Sequence, residues 1–421
     1  MQGNNKIKAI IGGVCIDGTG AEPIKDSVIV IEDSMIREVG RLGDVQIPSG
    51  AEIIDAKHRV IMPGIIDCHT HISAISSPLK STGFGFLEWS DIDRAVRSVA
   101  TAKRLLSSGI TTIRDVGSFG NIDVALRDAI NDGVLPGPRI LASGTGLTCT
   151  GGHVDGDKHV RYLAFHNIRV QKYRTVDGVS DVIRAVRELI KLGVDWIKFW
   201  ASGGVLEATE RAHAQEFSEE EIDALIKEAG RARVPVCVHA LAPEPIKICI
   251  ESGVRSIEHG IFADEECIKM MKDRGVYLVP TFIAYELLAK DEKLPRATYE
   301  IARRAIITHE KTVQMAKRIG VKIAMGTDSG SPYTNIPGEC QAWELEQMVR
   351  KGFSAMESIV AATKNAAECL GVAQKTGTIE PGKSADLIII DGDPLRDIKV
   401  LQDKNRIKLV MKEGKIYFMK P

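Results

Sequence analysis

Between residues 7 and 62 the apolar positions come in short runs rich in valine and isoleucine: Ile7 to Val14, Ser27 to Glu32 and Met35 to Val39. Glycine- and aspartate-bearing turns such as Asp17-Gly18-Thr19-Gly20 separate them. Runs of this kind predict strands. The C-terminal stretch has the same character, with Ala385 to Asp391, Ile407 to Met411 and Lys415 to Met419 joined by Asp391-Gly392-Asp393-Pro394 and Glu413-Gly414. Two strand-rich ends around a different middle predict that the termini pair into one small sheet domain.

The middle alternates strand and helix about eight times. After the strand ending at His69 come Thr111 to Val116, Arg139 to Ser143, Asp195 to Trp200, Pro235 to His239, Ser256 to His259, Tyr277 to Phe282 and Lys322 to Thr327. Helical patterns lie between them: Asp93 to Ser107, Asp181 to Leu192, Glu219 to Ala232, Pro243 to Gly253 and Ala297 to Ile319. Ser218 followed by Glu221 is a capping box that opens one of these helices. Repeated strand–helix units predict a parallel sheet, and eight of them a closed (β/α)8 TIM-type barrel. The predicted organisation is a barrel over 63–369 and a small β-sandwich from residues 1–62 plus 370–421.

In such a barrel the chemistry sits at the carboxyl ends of the strands, and the polar residues fall there. The apolar run Val60, Ile61, Met62, Ile65, Ile66 leads into His69-Thr70-His71. Residues i and i+2 of a strand share a face, so His69 and His71 present two imidazoles side by side. Strand four carries Lys198 among apolar and aromatic neighbours. Strands five, six and eight end in His239, in His259 and in Thr327-Asp328. Closure of the barrel brings these tips to one rim, where imidazoles and a carboxylate suit zinc or a similar divalent ion.

Lys198 has two readings. A buried ammonium is costly, and burial lowers its pKa. It either pairs with an acid such as Glu258 or Asp195, or stands as a neutral amine that can add carbon dioxide and become an anionic carbamate. Trp196 and Trp200 share its strand face and either desolvate it or fill the barrel. Cys68 and Cys237 read as packing residues, and Thr112-Ile113-Arg114-Asp115 as the source of a structural ion pair or hydrogen bonds below the site. His58, His159, His166, His213 and His309 read as solvated or locally bonded.

Composition narrows the class. The 421 residues are 44% hydrophobic and 26% charged, with a formal net charge of -1. That is the profile of an ordinary soluble globular protein, and it gives no electrostatic case for nucleic acid or an anionic membrane. No apolar run approaches the roughly 18 residues of a membrane span, and Met1 to Lys6 lacks a signal core. The eight cysteines are scattered singly, which points to reduced thiols in the cytoplasm. The expected partner is a small-molecule substrate, with self-association into a homo-oligomer left open.

Several motifs together resemble one family. They are Pro63-Gly64-Ile65-Ile66-Asp67-Cys68-His69-Thr70-His71, the strand-four lysine, the two later histidines, Gly326-Thr327-Asp328-Ser329-Gly330, and Gly377-Thr378-Ile379-Glu380-Pro381-Gly382-Lys383-Ser384-Ala385-Asp386-Leu387. In this order they are similar to the amidohydrolase superfamily of metal-dependent hydrolases. Gly151-Gly152-His153, Ile197-Lys198-Phe199 with Ser202-Gly203-Gly204, and Pro280-Thr281-Phe282 with Tyr285 resemble its imidazolonepropionase-related branch. That branch includes Xaa-Pro dipeptidases and N-acyl amino acid hydrolases. The resemblance implies two divalent metal ions, zinc above all: one held by His69, His71 and Asp328, the other by His239 and His259. Lys198, carboxylated by carbon dioxide, would bridge them.

The implied activity is hydrolysis of an amide-type C–N bond in a dipeptide or N-acyl amino acid. Asp328 would then be the proton shuttle. His153 is a candidate for steadying the oxyanion, or else a histidine bonded within a glycine-rich loop. Tyr285 could do similar work, or pack at the mouth. Two departures bear on substrate. Leu241 stands after His239-Ala240, where dipeptidases of this type often carry a tyrosine. The loop His153-Val154-Asp155-Gly156-Asp157-Lys158 lacks their usual arginine. Both losses weaken recognition of a free carboxylate and bring in a less polar carbamate, urea or anilide. The loop bearing Ser77, Gly83, Phe84, Gly85, Phe86 and Trp89 reads either as part of an apolar pocket or as surface packing. A cyclic amidohydrolase or a single-metal deaminase is a more distant reading, and Lys198 argues against the deaminase. A non-catalytic barrel would not need every ligand position filled.

Overall fold

The computed structural model describes residues 7–74, 89–156, 173–205, 212–331, 334 and 338–420. The termini form one eight-stranded sheet. Ile7–Cys15, Ile24–Glu32, Met35–Arg41, Glu52–Asp55 and Val60–Pro63 come from the N-terminal part; Leu387–Ile390, Ile407–Lys412 and Lys415–Met419 come from the C-terminal part. The join is the antiparallel pairing of Val60–Pro63 with Leu387–Ile390, Ile61 opposite Ile389. Met35, on the strand at the far edge, bridges Ser384 just before this join, so the sheet curls back on itself.

The period of two decides what each strand buries. Ile61, Leu387, Ile389 and Leu409 meet Ile10, Ile29 and Ile31 in the small domain's own core. Their neighbours Met62, Ile388, Ile390 and Val410 belong to the barrel's core. The two parts are therefore packed through alternate residues of the same strands.

One buried ion pair adds to this seam. Arg139, on the third barrel strand, donates from Nη1 to Asp386 Oδ2 at 2.7 Å and from Nη2 to Glu413 Oε1 at 2.8 Å. The Arg139 side chain is only 11% exposed and that of Asp386 1%. Asp386→Ala leaves the guanidinium buried without its main partner and is expected to destabilise the fold by about 3 kcal/mol. A shift in the denaturant midpoint worth less than about 1 kcal/mol would place the pair with weak surface bridges.

The barrel follows the expected order. Its strands are Ile65–Thr70, Ile110–Asp115, Arg139–Leu141, Ile197–Trp200, Val236–Ala240, Ser256–His259 and Tyr277–Val279, paired in parallel within two groups. The gap between the third and fourth closes through the Asp195 and Trp196 N–H groups, which donate to the Ala142 carbonyl at 2.8 and 3.1 Å. The eighth segment, Lys322 to Thr327, is present as isolated bridges rather than a continuous strand. Ile323 bridges Leu278, Cys68 N–H donates to Met325 O at 2.9 Å, and Asp328 N–H to His69 O at 2.8 Å. The ladder is interrupted because Met325 N–H donates to Ala361 O, at the end of the helix Ala355–Ala361. Together these bonds close the barrel.

Helices cover the outside, among them Asp91–Ser107, Val179–Leu192, Glu219–Arg231 and Arg296–Ile319. The expected capping box is present: Ser218 Oγ accepts from Glu221 N–H at 3.3 Å, and Glu221 Oε2 from Ser218 N–H at 2.7 Å. No helix among the described residues is long and apolar enough to cross a membrane.

Candidate active site

The strand tips converge as the pattern predicts. One ligand atom each from His69, His71 and Asp328 lies within 4.8 Å of the others. Asp328 Oδ1 stands 3.2 Å from His71 Nε2 and 3.6 Å from His69 Nε2. The imidazoles continue around the rim as an arc. Ring centres are 5.4 Å apart from His71 to His69, 4.9 Å from His69 to His259, and 4.6 Å from His259 to His239.

Each imidazole is aimed by a bond at its other nitrogen. His69 Nδ1 lies 2.8 Å from Glu258 Oε2, His71 Nδ1 3.0 Å from Gly117 O, and His259 Nδ1 2.7 Å from Thr281 Oγ1. For His69 and His71 the partner at Nδ1 is an acceptor only, which favours the tautomer that leaves Nε2 as a lone pair facing the site. His239 is reversed, with Nε2 3.4 Å from Gly203 O, which leaves Nδ1 for a ligand. Burial, reinforced by neighbouring positive groups, holds His69, His239 and His259 well below the usual imidazole range, so they are neutral near pH 7. Burial pushes the Asp328 carboxyl upward, but its neighbours His71, His69 and Lys198 outweigh burial and hold it below the usual carboxylate range. His259, Thr281 and Asp328 all have left-handed backbones, with φ of 69°, 53° and 56°. Non-glycine residues hold such angles at a cost of about 1–3 kcal/mol each, and do so mainly where surrounding contacts over-determine them.

Two buried acids brace the rim around His69, and sequence reasoning gave neither that role. Asp67 accepts from His69 N–H and Thr327 N–H at Oδ1, and from Thr327 Oγ1 (2.6 Å) and Gln341 Nε2 (2.8 Å) at Oδ2. It clasps the eighth segment to the first strand and so sets Asp328 against the histidines. Burial pushes its carboxyl up to about 6 despite these four bonds. Glu258 accepts from His69 at one oxygen and from Arg114 Nη2 (2.7 Å) and Ser256 Oγ (2.6 Å) at the other. The expected ion pair below the site is therefore Arg114–Glu258. Asp67 was visible as an acid two residues before His69; the Glu258 contact is a meeting of strands one and six that no local pattern carries.

Both acids suggested for Lys198 are engaged elsewhere. Glu258 serves Arg114 and His69, and Asp195 accepts from Arg127 and Ala142. Lys198 is fully buried, and its Nζ has no hydrogen-bond partner among the described residues. It lies 4.9 Å from the Trp200 ring centre, and burial lowers its pKa. An orphaned amine beside neutral imidazoles and an ionised carboxylate fits a site for divalent metal. Trp196 packs beneath it in the barrel core with Cys68 and Cys237, both fully buried.

His153 reaches the site: its ring stacks on His239 with centres 4.6 Å apart, and its N–H donates to Glu216 Oε1. Tyr285, on the short helix Phe282–Leu288, is buried with its ring centre 5.4 Å from that of His259. Leu241 is fully buried in an apolar cluster with Val205, Ile261, Ala284, Tyr285 and Leu288. His58 and His213 are exposed. His309 corrects the expectation of a solvated or locally bonded residue. It is 1% exposed, and burial pushes its imidazole down to about 3. His159, His166, Asp157, Lys158 and the residues Ser77 to Phe86 lie outside the described residues. Trp89 packs under Arg97, 3.8 Å from guanidinium carbon to ring centre.

A closed barrel with a histidine–aspartate rim and a sheet domain from both termini is the architecture of the amidohydrolases, hydrolases acting on C–N bonds. The chain belongs to the amidohydrolase family, whose model matches residues 60–417. It is 34% identical to ochratoxinase from Aspergillus niger, over 98% of this chain and 87% of that protein. The crystal structure of A. niger ochratoxinase superposes with a TM-score of 0.89 at 30% identity, covering 99% of this chain and 96% of that one. That of a Xaa-Pro dipeptidase with bound methionine in the active site gives 0.88 at 33% identity, covering 98% and 100%. Imidazolonepropionase from Rhizobium rhizogenes is 25% identical over 88% of each chain.

Proposed function

We propose that this amidohydrolase is a two-metal enzyme that cleaves the amide bond of N-acyl amino acids or dipeptides. The observation that carries the reading is Lys198: a fully buried amine without a hydrogen-bond partner among the described residues, beside neutral imidazoles. His69, His71 and Asp328 would hold one ion and His239 and His259 the other, with Lys198 as a bridging carbamate. Zinc suits this set of nitrogen and oxygen donors.

When bound, the ions would lower the pKa of a water enough to supply hydroxide near neutral pH and would polarise the scissile carbonyl. Asp328, ionised at the rim, takes the proton of the attacking water and hands it to the leaving nitrogen. His153 and Tyr285 flank the rim beside His239 and His259, where a donor would steady the carbonyl oxygen as it gains charge. The eight singly spaced cysteines support a cytoplasmic location.

The apolar cluster around Leu241 and Tyr285 favours substrates with an apolar group, and gives the less polar carbamates, ureas and anilides their place as the second reading. The relatives named ochratoxinase and Xaa-Pro dipeptidase are consistent with the first. The test is turnover of zinc-reconstituted protein on dipeptides, N-acyl amino acids, carbamates and phenylureas. Hydrolysis of N-acyl amino acids or dipeptides supports the proposal. Turnover confined to carbamates or ureas moves the assignment to the second reading, and ammonia release from an aromatic amine with one metal per chain overturns both.

A further inference from the structure

Glu344 is a fully buried acid on the helix Cys340–Arg350, and no part of the mechanism uses it. Both of its oxygens go to backbone at the start of the short helix Phe282–Leu288. Oε1 accepts from Phe282 N–H at 2.9 Å and Oε2 from Ile283 N–H at 2.7 Å. The first N–H groups of a helix have no partner within it, and a threonine just before the helix ordinarily caps them with its own hydroxyl. Thr281 stands at that position and makes no such bond. Its Oγ1 lies 2.7 Å from His259 Nδ1 instead.

The hydroxyl is thus committed to an imidazole, and the helix start needs an acceptor from elsewhere. Thr281 also holds a left-handed backbone, φ 53° and ψ 49°, which a β-branched residue rarely adopts. Such a conformation persists where contacts over-determine it. Glu344 supplies those contacts, with charge-assisted bonds to the two residues that follow Thr281. Its own helix is anchored on both sides. Lys351 Nζ, at the helix end, lies 2.7 Å from Glu286 Oε1 on the short helix. Gln341, one turn before Glu344 and also buried, donates to Asp67. One helix therefore braces the tip of the first barrel strand and the turn after the seventh.

We propose that Glu344 is a positioning residue for His259: by holding the Phe282 and Ile283 N–H groups it fixes the left-handed turn at Thr281, and Thr281 Oγ1 in turn aims the His259 imidazole into the site. This rests on the reading of His259 as a metal ligand. The helix layer thereby contributes to the second ion's shell without touching it, as groups behind a metal ligand commonly do.

The experiment compares full-length Glu344→Gln, Thr281→Val and the double variant with the parent by zinc titration against a competing chelator, and by the visible spectrum of the cobalt-loaded protein. The glutamine amide has the size of the carboxylate but one acceptor oxygen; valine has the shape of threonine without the hydroxyl. Each single variant is expected to weaken the second ion about tenfold to a hundredfold while the first stays bound, and to change the cobalt spectrum. Because both act on one ring through one chain of bonds, the double variant is expected to fall within a few-fold of Thr281→Val. Two-ion binding and a cobalt spectrum unchanged in Glu344→Gln overturn the proposal, as do equal losses at both ions or a double variant whose loss is the product of the two single losses. If Glu344→Gln does not fold, Glu344→Asp, which keeps both oxygens on a shorter arm, is read by the same outcomes. His259→Ala, run in parallel, separates the two claims. If it keeps both ions, the metal assignment of His259 fails; if it loses the second ion while Glu344→Gln keeps it, the positioning role alone fails.

Discussion

Lys198→Ala is expected to leave the protein folded but holding at most one divalent ion, with turnover lower by about a thousandfold or more. A lone amine in a dry interior is costly. Nothing among the described residues offers Lys198 Nζ a hydrogen bond, and burial favours its neutral form. A neutral amine adds carbon dioxide: nitrogen forms a bond to carbon, one C=O π bond opens onto oxygen, and a proton leaves nitrogen for solvent. The product is an anion with two oxygens, which would supply the charge and reach that the proposed pair of cations requires and that imidazole ligands, carrying no negative charge, would not. Alanine supplies neither, so the ions would repel each other unbridged. Elemental analysis of the purified variant is the check, with circular dichroism to show that it is folded. Two ions per chain in folded Lys198→Ala would refute the bridge.

Asp328→Asn is expected to act on rate rather than on binding. The amide keeps an oxygen facing the His71 and His69 nitrogens but cannot accept a proton from the attacking water. General base catalysis of this kind is worth about a hundredfold to ten-thousandfold. A fall of that size in kcat, with KM changed by a few-fold at most, is the expected steady-state result. A kcat near that of the parent would remove Asp328 as the shuttle. If metal content falls together with kcat, its role is that of a ligand alone.

Much of this was legible in the chain because the code for a barrel rim is short-ranged. His69 and His71 share a face because strand residues two apart always do, and His239, His259 and Asp328 each fall at the end of a predicted barrel strand. The terminal sheet was legible from equally local signals, valine- and isoleucine-rich runs separated by glycine- and aspartate-bearing turns. What resisted was contact between elements far apart in sequence. Glu258 meets His69 from another strand, and only the folded barrel decides that it serves His69 and Arg114 rather than Lys198. His309 was misplaced although its signal was present: it falls in register with Ala302, Ala305 and Ala316 on the buried stripe. The polarity of one imidazole outweighed the periodicity of its helix. The eighth strand was read as regular, yet it is broken because a helix carbonyl, that of Ala361, competes for the Met325 N–H.

The clasp of Asp67 on Thr327 and Gln341 has a consequence for the timing of synthesis. Asp67 and Gln341 are 274 positions apart, and the carboxylate that completes the histidine pair arrives on the segment they hold. A chain emerging from the ribosome carries His69 and His71 for most of its translation without Asp328, and cannot close the barrel that would bring them together. Contacts of such long range form late and slowly. Hydrolytic power is thus withheld from the nascent chain and switched on only when nearly the whole polypeptide has been made.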